Sequence, residues 1–169
     1  YSSSGNGSSS HLAVELLKHM TGIQLTHVPF KGSGQSMPAL LAGQVQLIFE
    51  PIPTSLPHVK SGKLKGLAIS TVKRSPVLPE LPTAAESGVP SYESSMWYGL
   101  LAPAGAPRSV VEHLNKATHT ALISPDLKER FAALGADPTG STAEAFGQYM
   151  GVEIAKWGKV IRAAGIKGE

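Results

Sequence analysis

The chain has 169 residues, enough for one domain or for one and a part, and its 41% hydrophobic and 16% charged residues match an ordinary globular protein. A net charge of +3 is too small to argue for nucleic acid, and the lack of cysteine excludes disulfides, thiolate metal sites and Cys nucleophiles. No apolar run approaches membrane-spanning length, while 18 glycines and 13 prolines point to many turns.

The first stretch, "YSSSGNGSSSHLAVELLKHMTG", crowds small polar residues in front of a helix. The first N–H groups of a helix have no internal partner, and the helix dipole leaves positive charge there. Gly5 and Gly7 allow a tight turn and a close approach of backbone to ligand. The stretch reads as a cradle for an anion such as a carboxylate. The competing reading is that Ser8, Ser9 and Ser10 only supply an N-cap. The helix is expected over Ser9–Thr21, with Leu12, Leu16, Leu17 and Met20 inward, Gly22 as its stop and Ile23 packing back.

"QLTHVPF" then reads as a strand, and "KGSGQS" is a second loop rich in glycine and serine. "MPALLAGQ" follows as a helix with Pro38 in its first turn and Gly43 at its end. "VQLIF" is a buried strand, "PIPTSLPHVKSG" a turn and short helix, and "KGLAIST" another strand. This alternation predicts an α/β sheet. In the surface excursion "KRSPVLPELPTAAESGVPSYE", Thr83 and Glu86 fit a capping box for a short helix. "SSMWYGLLAPAGAP" is an extended crossing to a new region of helices. One is expected over Arg108–Leu122 and one after a Ser124 cap with Pro125 at its first position. A long last helix is expected with Ser141 and Glu144 as its capping box. Phe146, Met150, Ile154, Trp157 and Ile161 form its apolar stripe, a packing face rather than a cofactor box.

The six histidines are dispersed, with no H-x-x-x-H pair, which argues against a zinc site. No G-x-S-x-G elbow, complete G-x-G-x-x-G or G-K-[ST] sequence occurs, so no hydrolase, dinucleotide or P-loop chemistry is indicated and no cofactor is expected. His11, one turn into the first helix, could face a ligand, whereas His27 reads as a structural residue in a strand. Lys60, Lys63, Lys65, Lys73 and Arg74 read as a solvated basic face. Lys31 differs, because it sits in a Gly-rich turn at a strand end. Open α/β sheets bind ligands beyond the carboxyl ends of their strands, and both "SSSGNGS" and "PFKGSG" fall there.

"SSGNGSSSHLA", "HVPFKGSG", "LLAGQVQLIF", "LPHVKSGKLKGLAIS", "KRSPVLPELPTAAESGVP", "WYGLLAPAGAP" and "EIAKW…AAGIK" occur in order. Together, over essentially the whole chain, they resemble the substrate-binding receptors of tripartite tricarboxylate transporters, the Bug-type solute-binding proteins. The resemblance implies an α/β fold of the type II periplasmic-binding-protein class, located in the periplasm. It implies capture of a small organic acid, whether a di- or tricarboxylate, an aromatic acid or an amino acid, for delivery to a membrane permease without catalysis. The front of the family pattern is missing. The expectation is therefore a truncated receptor: a complete second lobe over residues 1–93, a hinge over 94–101, and a helical return to a partial first lobe over 102–169.

Carried over from the family, the ligand-binding residues would be Ser3, Ser4, Gly5, Gly7, Ser8 and His11, joined by Phe30, Lys31 and Gly32. Phe30 stands where a Tyr is common, Ala39 where an Asp is common, and Glu50 where a shorter Asp is frequent. A fragment should expose the apolar faces of helices 108–122 and 142–164, which predicts either a homodimer or swapped assembly burying the Phe146–Trp157 stripe, or a loosely folded C-terminal half. The alternative reading is the effector domain of a transcription regulator with the same fold, which would need an upstream helix-turn-helix.

Overall fold

Parallel contacts only two residues long organise the amino-terminal part of the computed structural model, which describes residues 1–167. Strand β1 (Ser2–Ser3) pairs in parallel with β2 (Val28–Pro29), in the register Ser2 to Val28 and Ser3 to Pro29. Ser2 also bridges to Ile48, and Ile69 bridges to Thr83. The alternating α/β order is therefore present, but the strands expected at "QLTHVPF", "VQLIF" and "KGLAIST" shrink to these contacts. The pairing is carried by single bonds such as Ser2 N–H to Leu47 O at 2.9 Å and Phe30 N–H to Ser3 O at 3.1 Å. Pro29 brings no N–H to the ladder, so β2 cannot extend as a regular strand.

Helix α1 (Ser9–Thr21) has the expected bounds. The Ser8 hydroxyl accepts from the His11 amide, and Gly22 closes the helix at φ 74° with its N–H on Lys18 O. Ile23 stays 42% exposed, so this end lacks the expected apolar contact. The buried face also differs from the expected one. Ser10, His11, Ala13, Val14, Glu15 and Leu16 are buried, while Leu12 and Leu17 are half-buried and Met20 is exposed. The cause is polar: Tyr1 donates to Glu15 and His11 stacks on His27, which turns those side chains inward.

Helix α2 (Ser33–Leu41) starts at Gly32, so Pro38 lies in its interior rather than in its first turn. Helix α3 (Ile52–Lys60) follows Pro51. Thr83 and Glu86 exchange the two capping bonds, at 2.7 and 3.1 Å, but the residues behind them form turns and not the expected helix. Leu16, Tyr92 and Val160 make the core cluster, with Leu17, Phe49, Ala84, Val89 and Trp157 packed on it. The Tyr92 hydroxyl donates to Ala13 O at 2.9 Å.

The chain divides into two units, residues 1–96 with 156–169 and residues 97–155. The segment expected as one return over 102–169 is thus shared between them. The second unit holds α4 (Arg108–Leu122), α5 (Pro125–Ala133) and the first turns of α6 (Ala143–Ala163). Ser124 precedes Pro125 as expected, but its hydroxyl turns back to Ala121 O instead of capping α5. Thr142, not Ser141, caps α6, accepting from the Ala145 amide at 3.1 Å. The expected stripe of α6 splits. Phe146 meets Trp97 edge-on, with ring centroids 5.6 Å apart, and Tyr149 does so at 5.5 Å. A Cβ at Gly99 would collide with the Phe146 ring, which would have to move to admit one. Glu153 is buried and receives the Trp97 indole N–H, whereas Ile154 is 73% exposed. Among the described residues, no helix is long and apolar enough to cross a membrane.

Candidate functional site

The loop between β1 and α1 is built from its own polar groups. Ser3 is fully buried, and its Oγ accepts from the Gly5 amide while lying 2.6 Å from His27 Nε2. Ser4 sends its amide and its hydroxyl to Ser10 Oγ, both at 3.0 Å. Gly5, at φ 141°, accepts at its carbonyl from the Ser8 amide and hydroxyl. Gly7, at φ 72°, donates its N–H to His11 Nδ1 at 3.0 Å. Both glycine dihedrals lie where a side chain is strained.

This network satisfies the turn and leaves the helix end open. The His11 amide goes to Ser8 Oγ and the Leu12 amide to Ser8 O. Among the described residues, the amides of Ser9 and Ser10 have no acceptor. Two unsatisfied N–H groups at the positive end of a 13-residue helix are suited to an anion.

The second loop lies against the first. Phe30 and Gly32 donate their amides to Ser3 O and Ser4 O at 3.1 and 3.0 Å, which brings both expected loops together. Phe30 is half-buried, and the exposed Lys31 uses its amide on Gln35 Oε1. Gly32 begins α2 at φ 93°. The Ser33 hydroxyl reaches both oxygens of Glu50, each at 3.0 Å, so a carboxylate of the chain itself stands at this helix start. Burial pushes the Glu50 carboxyl up, and the Ser33 and Ser36 hydroxyls pull it back in part.

Of the expected ligand residues, His11 is placed differently from a ligand-facing side chain. It is 4% exposed and lies parallel to His27, with ring centroids 3.8 Å apart and planes 10° apart. His27 in turn stacks on Tyr1 at 4.9 Å. Burial holds both imidazoles below their ordinary range, His27 down to about 4. Burial pushes the Glu15 carboxyl up, but Lys18, Tyr1 and His11 together hold it below its usual range. The sequence reading missed Ser10, the hub of the serine network, and Ser33, the partner of Glu50. Ser10 could have been found from its i+2 spacing to the cap Ser8. Nothing local pairs Ser33 with Glu50.

Comparison with known proteins gives a consistent result. The family model described as the tripartite tricarboxylate transporter family receptor matches residues 1–166. Protein BugT of Bordetella pertussis (strain Tohama I) is 38% identical over 161 residues, covering 95% of this chain and 49% of that protein. An R. palustris protein solved with adipate superposes with a TM-score of 0.88 at 40% identity, covering 98% of this chain and 56% of that one. The periplasmic binding protein BugD superposes with a TM-score of 0.83 at 33% identity, covering 99% and 57%. The chain spans about half the length of most of the curated relatives it matches.

Proposed function

The chain belongs to the tripartite tricarboxylate transporter family of receptors and has their α/β periplasmic-binding fold, and from that premise we propose that it captures a small organic carboxylate at the start of α1. It is the ligand-holding part of a periplasmic solute-binding protein that delivers its cargo to the permease of such a transporter. Residues 1–93 act as the second lobe, 94–101 as the hinge, and the stretch from 102 as the return to the first lobe, with the end of α6 packing back on the second. The ligand class is a di- or tricarboxylate, an aromatic acid or an amino acid. No covalent step takes part.

The observation that carries the reading is the pair of open amides at Ser9 and Ser10 above a loop already satisfied by Ser3, Ser4, Gly5, Gly7 and Ser8. The helix dipole contributes about 0.3–1 kcal/mol to such an anion, so charge-assisted bonds to amides and hydroxyls must supply the rest. Phe30 and Lys31 border the same loop and would meet the remainder of the ligand. The test is calorimetric titration of the chain with adipate and with its neutral diamide. Adipate is expected to bind and the diamide to fail. Equal binding of the two would remove the case for carboxylate capture.

A further inference from the structure

The candidate loop residues Ser3 and Gly7 each end on an imidazole. Gly7 donates its amide to Nδ1 of His11, and Ser3 Oγ lies beside Nε2 of His27. The rings of His11 and His27 lie face to face at 3.8 Å. An N–H can be accepted at Nδ1 only when that nitrogen carries no proton. The proton of neutral His11 therefore sits on Nε2, which lies 3.9 Å from Glu15 Oε1.

We propose that His11 is the positioning residue of the carboxylate cradle: its unprotonated Nδ1 holds the Gly7 amide and so fixes the turn, and protonation of the ring releases that turn. The proposal rests on the carboxylate-capture reading for its consequence and on the Gly7–His11 contact for its mechanism. Protonated His11 would present an N–H to the Gly7 N–H, and the two donors cannot share the site. The rest of the turn is held by the Ser8 amide and hydroxyl on Gly5 O and by Asn6 Nδ2 on Lys167 O, so protonation of His11 frees the Gly7 amide itself.

The surroundings decide when the proton enters. His27 sits on one face of the ring, so a charge on either imidazole opposes a charge on the other. Tyr1 stacks beyond His27. From α1 itself, Glu15 favours the protonated ring and Lys18 disfavours it, but Lys18 and Tyr1 already occupy the Glu15 carboxylate at 2.7 and 2.6 Å. Burial acts against the charge as well. The latch therefore stays closed at neutral pH and opens in acid.

The test compares the wild-type chain with His11→Asn and His11→Ala by NMR from pH 7.5 to 4. Asparagine can place Oδ1 near the position of Nδ1, giving an acceptor that does not titrate. The Gly7 amide resonance is expected to move with the His11 ring titration in the wild type and to stay fixed in His11→Asn. A Gly7 amide that ignores the titration of His11 overturns the proposal. In parallel, adipate affinity is measured for all three, so that the ligand's own protonation cancels in each ratio. The affinity of His11→Asn relative to wild type should rise by up to about tenfold per pH unit below the His11 titration. His11→Ala should bind more weakly than His11→Asn at every pH, and a flat ratio would overturn the link to binding. Failure of the wild type to bind adipate at pH 7 would sink the capture reading instead, while the Gly7 resonance still decides the latch. Should either variant fail to fold, the wild-type Gly7 resonance alone supports or overturns the latch.

Discussion

Gly7 carries a demand that no other residue type meets cheaply. Its φ of 72° is left-handed, yet the space around it is open, so a substitution there tests conformation and not bulk. Gly7→Val should move the turn towards negative φ, pull the amide off His11 and weaken adipate at least about tenfold, equivalent to ~1.4 kcal/mol. Gly7→Asn should do far less damage, since asparagine tolerates the left-handed region. Calorimetry with both variants, and circular dichroism to check their folding, would separate the two; equal loss from both would deny the turn its role. His27 makes a second prediction at this scale. In an unfolded chain a histidine takes up its proton near pH 6.5, whereas burial and the neighbouring His11 hold His27 neutral down to about 4. Between those values the unfolded state binds more protons, so stability must fall as the pH falls. The urea midpoint should decline from pH 7 towards pH 4 and decline less in His27→Gln. Identical pH profiles in the two proteins would rule out a neutral, half-buried His27.

Helix ends were more legible than helix faces. Ser8 and Gly22 bound α1 through contacts within four residues, which a sequence displays directly. The choice between neighbouring hydroxyls at α6 was not so legible, because Ser141 and Thr142 are both good caps. The structure gives Thr142 the capping bond and uses the Ser141 carbonyl to receive Asn115 and His119. Thr142→Ala should therefore destabilise the chain by about 1 kcal/mol, while Ser141→Ala, which keeps its carbonyl, should stay within about 0.5 kcal/mol. Denaturant midpoints of the two variants would decide it, and the reverse order would return the cap to Ser141. The faces of α1 and α6 were misread for a common reason. Glu15 is buried because Tyr1 and Lys18 reach its carboxylate, and Glu153 because Trp97 does. Hydrophobic periodicity cannot place a glutamate inside, since its partners come from elsewhere in the chain. The turn over Ser3 to Ser8 was legible because turn and cap chemistry is local. The inward turn of His11 was not, because it depends on the pairing of Ser2 with Val28, which sets His27 beside Tyr1.

At the scale of the molecule, the segment after Met96 is extended and outside regular secondary structure. Trp97 and Gly99 lie against Phe146, and the alternate residues Tyr98 and Leu100 point away, at 89% and 79% exposed. Leu101 is 74% exposed, and Val110 and Leu114 stand one turn apart on α4 at 46% and 51%. Phe146 and Trp157, the ends of the stripe expected to form a dimer face, are instead engaged by Trp97 and by the core. An association surface is therefore sought in the 98–101 segment, where apolar side chains are exposed. A second copy of the 169-residue chain would cover this surface. The 169-residue chain should associate reversibly as its concentration rises, and Tyr98→Lys with Leu100→Lys should hold it monomeric, because both side chains leave the Phe146 contact intact. Sedimentation velocity over a concentration series reads this directly. A wild type that remains monomeric at its highest soluble concentration would refute self-association, and association unaffected by the two lysines would move the surface to the exposed Val110–Leu114 face of α4.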